Sequence, residues 1–444
     1  MKVSSFAPLI SDVTSIQSVE RFGLVTATGG GVVEVSGLSG FASVGDLVRV
    51  STRKQEVMAE VLAVTKSKIS VLPEAGTFGV TVGDAVQFIG SGHIYPDMSW
   101  VGRIIDGYAN PLDGSPLSRG LEGRSVLANP PPAAKRNRLG GPLETGLAAF
   151  NTFLPLVRGQ RIGLFAGSGV GKSTLLASLA KQVAADHVVI ALVGERGREV
   201  RDFVEDTLGE DGLERSVVVA ATSDQSPVAR RRAAWTAMSV AEYLRDQGGH
   251  VLLLMDSVTR FCEAHREIAT TTGEPASLRG FPPSTPQALM SLCERAGPGA
   301  GQCGDITAVF SVLVAGSDMD EPVADMVRGV LDGHIILDRS IAERGRFPAI
   351  DILRSVSRCF DKATPDEFRP VIAGARSLMS AYDQAEIMIQ TGLYQPGSDV
   401  AVDKAIAARP KFESFLSSLE QDETRQISEH REMLNRMLVE IDGV

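Results

Sequence analysis

The sequence predicts an α/β protein: a parallel sheet covered by helices on both faces, with a small β-barrel before it and a helical domain after it. Three observations carry that expectation. Between Phe22 and Phe88 short β-branched runs are cut by glycine at the spacing of a small barrel. From about Arg158 to Asp338 continuous apolar runs alternate with helical patterns, which is how strands buried on both faces read. Beyond Asp361 the strand signals stop, and Phe415, Leu416, Leu419, Ile427, Met433, Leu434, Met437 and Leu438 fall on helical faces among charges.

Taken in order, residues 1–20 carry Ile10, Val13, Ile16 and Val19 three apart, which suits a short amphipathic helix or a frayed end equally. The barrel would occupy 21–95 through runs such as Gly31 to Val35, Leu47 to Val50, Glu56 to Val64 and Ala85 to Phe88. It has few aromatics to stack on bases and one conspicuous basic pair, Arg53-Lys54, so it reads as a structural collar rather than a nucleic-acid binder. Turn chemistry from Gly102 to the triple proline Pro130-Pro131-Pro132 makes a connector. The sheet strands would be Arg161 to Ala166, Val188 to Val193, Val217 to Ala221, Val251 to Met255, Ile306 to Val314 and Ile335 to Leu337, within a core bounded at 96–363. The helical domain would fill 364–444.

Composition narrows the class. The 444 residues carry a net formal charge of -10, which argues against non-specific DNA coating. The four cysteines, Cys262, Cys293, Cys303 and Cys359, show no CxxC spacing and read as reduced thiols. Ser4, Ser5, Pro8, Ser11 and Asp12 interrupt any signal-peptide core, and no run of eighteen apolar residues occurs. The expected location is therefore cytoplasmic, with membrane contact peripheral.

The most constrained stretch is 161–174. An apolar run, Arg161 to Ala166, gives way to Gly167-Ser168-Gly169-Val170-Gly171-Lys172-Ser173-Thr174 and then to a helical pattern. Glycines let backbone N–H groups curl around an anion, and the helix that follows presents its positive end to it. Lys172 would reach the β- and γ-phosphates and Ser173 would ligate Mg²⁺; Ala166 stands where the phosphate-loop pattern has its first glycine. Val251 to Met255 ends in Asp256, a carboxylate at a strand's C-terminal edge that could hold Mg²⁺, followed by Arg260, a candidate for the γ-phosphate or a surface ion pair. Glu195, after the strand Val188 to Val193, has the reach to orient water for in-line hydrolysis.

Together with Gly194-Glu195-Arg196, Met255 to Arg260, Gly273-Glu274-Pro275, Arg279 to Ser284, Asp332 to Leu337 and Ser355-Val356-Ser357-Arg358, the loop resembles that of the type III secretion ATPases, relatives of the catalytic subunits of rotary F-type and V-type ATPases. The resemblance covers about residues 20–440 and leans toward the flagellar export branch. It implies a RecA-like ATPase core and Mg²⁺-dependent ATP hydrolysis. Glu195 matches the catalytic glutamate, and Glu199 would sit beyond the metal's direct ligands, Ser173 and Asp256. Arg358 matches an arginine finger acting in the neighbouring subunit of a homohexamer. Phe347 matches an aromatic that stacks on adenine, with Phe415 a candidate for the other ring face. Implied partners are a stator-like regulator on the N-terminal segment, a central stalk protein, a membrane export gate, and export substrates with their chaperones; no nucleic acid is expected. The protein would dock at the inner face of the cytoplasmic membrane. The injectisome ATPase, a rotary ATP synthase subunit and a hexameric RNA translocase of the termination-factor type remain alternatives. Gly273 to Leu278 lacks the family's second proline, and Asp305 and Ala315 also depart from the pattern, which touches local loop contacts and coupling to partners and leaves the phosphate chemistry intact.

Overall fold

A computed structural model describes residues 19–277, 280–314, 319–417 and 426–442. The expected N-terminal helix lies outside the described residues, as do Arg279, Ala315 and Leu419.

Six antiparallel strands, β1 (Phe22–Gly29), β2 (Val32–Ser36), β3 (Leu47–Ser51), β4 (Glu56–Val64), β5 (Lys68–Pro73) and β6 (Ala85–Gly90), close into a barrel in the order β1-β2-β5-β4-β3-β6. Alternation makes the interior. In β2, Val33 and Val35 are fully buried, while Glu34 between them turns outward to Lys68 at 2.7 Å.

The core is a sheet of β7 (Ile104–Ile105), β8 (Arg161–Ala166), β9 (His187–Glu195), β10 (Ser216–Thr222), β11 (Val251–Asp256), β12 (Gly297–Pro298), β13 (Asp305–Leu313), β14 (Gly333–Leu337) and β15 (Val356–Ser357). Its main path runs β15-β14-β8-β13-β11-β9-β10-β7, parallel throughout except for β15, with β12 antiparallel beside β13. Every residue of β11 is buried, as continuous apolar strands under two helical layers require. The stretch read as a turn-rich connector donates β7 to the sheet edge beside β10. Two residues are too short for any periodic signal, so the pairing partner decides. Asp305, one departure from the family pattern, pairs with Arg158 at 2.5 Å.

Barrel and core meet over polar groups as well as apolar ones. Arg231, on helix α2 once α1 (Lys172–Gln182) and α2 (Pro227–Asp246) are numbered in chain order, donates to Glu60 of β4 at 2.6 Å; both side chains are buried. A buried ion pair costs desolvation that its partner must offset, so this joint fixes docking geometry more than it adds stability. Leu72, Val228 and Ile268 seal it with apolar contact.

After helix α3 (Val258–Thr271), three helices end the described chain: α4 (Arg369–Gln390), α5 (Val400–Leu416) and α6 (Ile427–Asp442). Ile372, Ala375, Ala408, Phe412 and Leu434 join one apolar cluster with Leu164, Leu175 and Leu254 of the core. Burying each leucine contributes about 2 kcal/mol. Asn151 Nδ2 donates to His430 Nδ1 at 3.1 Å and pins α6 to the segment ahead of β8.

Candidate active site

Four neighbouring parallel strands, β8, β13, β11 and β9, place their C-terminal ends in one row. In an open parallel sheet that edge is where ligands bind. The row collects what the sequence predicted from separate stretches.

Strand β8 ends at Ala166, the chain turns through Gly167 to Gly171, and α1 begins at Lys172. Gly169 and Gly171 adopt φ of 76° and 86°, left-handed positions where a side chain would be strained. Ala166 is instead the fully buried last residue of β8, its carbonyl accepting from Val314 N at 3.1 Å, so a Cβ fits there. Val170 is buried and anchors the loop, while Ser168, Gly169, Ser173 and Thr174 are exposed at the helix N-terminus.

Lys172 lies between two carboxylates. Its Nζ is 2.5 Å from Asp256 Oδ1 and 3.7 Å from Glu195 Oε1. Asp256 is 3% exposed and accepts a second hydrogen bond, 2.6 Å, from Ser311 Oγ of β13. Ser311 was not among the sequence candidates. Its signal is a lone hydroxyl inside the otherwise apolar run Phe310-Ser311-Val312, a polar group that must find a partner when buried. Burial, and then the charge of Asp256, raise the Glu195 carboxyl to about 6, with Lys172 opposing them; the neighbouring Glu199 shares a hydrogen bond with it and adds to the rise. A carboxyl near neutrality is suited to handling a water proton.

The remaining candidates divide. The stem of Arg260 covers Gly194, whose added Cβ would fall 3.0 Å from Arg260 Cβ, and its guanidinium pairs with Glu263 at 2.8 Å. Glu199, half-exposed, pairs with Arg196 at 3.2 Å as well as facing Glu195. The Phe347 ring lies against the phosphate loop, 3.3 Å from the place of a Cβ on Gly171, and is 39% exposed. Phe415 has a different neighbour: it meets the His430 ring edge-on at 6.0 Å, half-buried against the core. Arg358 is exposed at the far edge of the sheet, its N–H donating to Asp332 O at 3.0 Å, where β14 begins level with Arg161. From there to the loop at Ala166 is about 17 Å along β8. The finger candidate thus stands at the opposite end of the strands from its own phosphate loop.

The donor set suits Mg²⁺ with a triphosphate: one hydroxyl and one buried carboxylate at the loop, with glycine positions open to an anion. Among the described residues no group of three or more His, Cys, Asp or Glu forms an all-protein metal cage. Mg²⁺ characteristically takes one or two carboxylates and draws its other ligands from phosphate and water.

Residues 146–357 match the ATP synthase alpha/beta family, nucleotide-binding domain, and residues 364–436 match the T3SS EscN ATPase C-terminal domain. The Flagellum-specific ATP synthase of Caulobacter vibrioides is 44% identical over 97% of this chain and 98% of its own length. The chain belongs to the ATP synthase alpha/beta family, in its type III export branch. The Flagellum-specific ATP synthases of Bacillus subtilis and Salmonella typhimurium are 42% and 40% identical to this export ATPase, over 92% and 90% of it and 93% and 90% of their own lengths. Among solved structures, the assembled ATPase EscN from the enteropathogenic E. coli type III secretion system superposes with a TM-score of 0.82 at 36% identity, covering 94% of this chain and all of that one. EscN in complex with its central stalk EscO gives 0.83 at 37%, with the same coverage. The export ATPase is thus an ATP-hydrolysing enzyme with a P-loop core, and among its described residues no helix is long and apolar enough to cross a membrane.

Proposed function

We propose that this export ATPase hydrolyses Mg²⁺-ATP as a homohexamer to energise flagellar protein export. The observation that carries the chemistry is the row of strand ends holding Lys172, Asp256 with Ser311, and Glu195 around one loop. Ser173 and Asp256 would hold Mg²⁺, which supplies charge neutralisation on the β- and γ-oxygens when bound. Lys172 leaves its carboxylate partners for the phosphates. Glu195 orients and deprotonates the attacking water, with Glu199 steadying its carboxyl, and Arg260 swings from Glu263 toward developing charge. Phe347 stacks on adenine. Arg358 enters the site of the next subunit, a role its position at the far end of the strands supports. Phe415 remains the candidate for the second adenine face only if its contact with His430 opens.

The relatives' names support the flagellar reading, and the complex of EscN with a central stalk supports a stalk partner for this chain too. Docking at the cytoplasmic membrane, a stator-like regulator, an export gate and chaperoned cargo complete the proposal. The likeness to EscN favours one second reading, the injectisome ATPase with virulence cargo. Chromosomal Lys172→Ala separates them: loss of motility and flagellin secretion with normal growth supports the flagellar role, and intact motility with a host-contact defect assigns the chain to an injectisome.

A further inference from the structure

The residue ahead of Phe347 has a role that the phosphate chemistry does not explain. Arg346 is a charged side chain only 8% exposed. Its guanidinium works in two directions. Nη2 donates to Ile350 O at 2.8 Å, closing the turn that carries Phe347, and Nε lies 3.0 Å from Glu413 Oε2 of α5, an ion pair without hydrogen-bond alignment. Its backbone N–H, donating to Ile341 O at 3.3 Å, fixes the same turn to the helix Arg339–Glu343. Glu413 also holds Arg409 at 2.8 Å, one turn back on α5, and Arg409 lies 4.4 Å over the Tyr382 ring of α4. These groups line a cavity of about 260 Å³ between the turn and the two helices, so the polar contacts bridge a gap rather than decorate a packed surface.

We infer that Arg346 is a positioning residue for adenine: it holds the Phe347 ring over the phosphate loop and ties that ring to α5 through Glu413. The inference rests on the proposed stacking of Phe347. A planar guanidinium can serve a carbonyl and a carboxylate at once, which lysine's point charge cannot. Glu413 offsets part of the cost of burying the cation, whose pKa burial still lowers. Because the ring and α5 share one anchor, ATP held by Phe347 and the placement of the α4–α5 pair bias each other, and linkage makes that bias reciprocal.

The test is steady-state ATP hydrolysis by the full chain carrying Phe347→Ala, Arg346→Met, Arg346→Lys, Glu413→Gln, or Arg346→Met with Glu413→Gln. Arg346→Met should raise KM for ATP about 5- to 10-fold with kcat within about twofold, the pattern of lost ground-state binding. Glu413→Gln should act in the same direction, the double variant should be no worse than Arg346→Met alone, and Arg346→Lys should recover part of the loss. Glu413→Gln keeps the size of the side chain while removing its charge, and it keeps the test decisive if Arg346→Met does not fold. Normal KM in the Arg346 and Glu413 variants beside a raised KM in Phe347→Ala overturns the inference while sparing the stacking role. Additive losses, or a fall in kcat alone, overturn it as well. A normal KM in Phe347→Ala removes the stacking role and this inference with it.

Discussion

Lys172 held between Asp256 and Glu195 shows how much of this site depends on single charges in a mostly buried place. Glu195→Gln keeps size and hydrogen bonding and removes the basic oxygen; turnover should fall by about 10³-fold with ATP binding retained, measured by hydrolysis and by equilibrium binding of ATP. Normal turnover would take Glu195 out of the chemistry. Ser311→Ala deletes the hydroxyl that holds Asp256 and should weaken Mg²⁺-ATP binding by about fivefold, equivalent to roughly 1 kcal/mol for one hydrogen bond. Lys172, Asp256 and Glu195 were legible because each closes or follows an apolar run, and strand ends in a parallel sheet converge. Ser311 and Arg346 were not, since a single polar residue has no period and its meaning depends on a partner far along the chain. For Phe415 the resemblance implied an adenine contact that no spacing around it signals, and in the folded chain its ring meets His430.

At the scale of elements, the phosphate loop and the Phe347 turn are built as one unit. Gly171→Ala would place a methyl 3.3 Å from the Phe347 ring at a φ of 86°. It should cost about 1–2 kcal/mol locally and push the ring away, so ATP affinity should drop while the circular dichroism spectrum and cooperative melting persist. A second element-level device lies on the other side of the core. Arg231 Nη1 donates to His265 Nδ1 at 3.4 Å, His265 Nε2 donates to Ser284 Oγ at 2.9 Å, and Ser284 donates to Glu274 at 2.6 Å. This one-way chain needs neutral imidazole, and burial with Arg231 nearby lowers His265 from 6.5 to about 4. The unfolded chain therefore takes up the proton first as pH falls. Stability from this group is fully present above 6.5 and is lost as pH drops toward 4. His265→Gln should flatten that part of the pH dependence, measured as urea midpoints at several pH values; an unchanged slope would mean that the imidazole is not held neutral. The barrel, the six long core strands and the helical end were readable from period and composition, because patterning decides those elements. The two-residue strands β7, β12 and β15 were not, because tertiary pairing alone creates them.

For the whole molecule, the proposed role of Arg358 makes a prediction about assembly. Arg358→Ala should lower turnover by roughly 10³-fold with ATP binding kept. If the residue acts across a subunit boundary, two inactive chains should rescue each other. A Lys172→Ala subunit has no working loop but lends its arginine, whereas an Arg358→Ala subunit has the loop and lacks the arginine. Equal mixing should restore about a quarter of normal hydrolysis, since a site needs the right chain on both sides. No recovery in mixed rings of confirmed composition would place Arg358 elsewhere. The separation of Arg358 and the phosphate loop at opposite ends of the strands would, on the proposed role, bring a thrift in ATP use. If Arg358 is the finger, a solitary copy carries two halves of different sites, and fuel consumption would depend on crowding: scarce chains would idle, and turnover per chain would climb steeply wherever copies are gathered. Local concentration would then be the throttle, and a dilution series of the wild-type protein would trace its response.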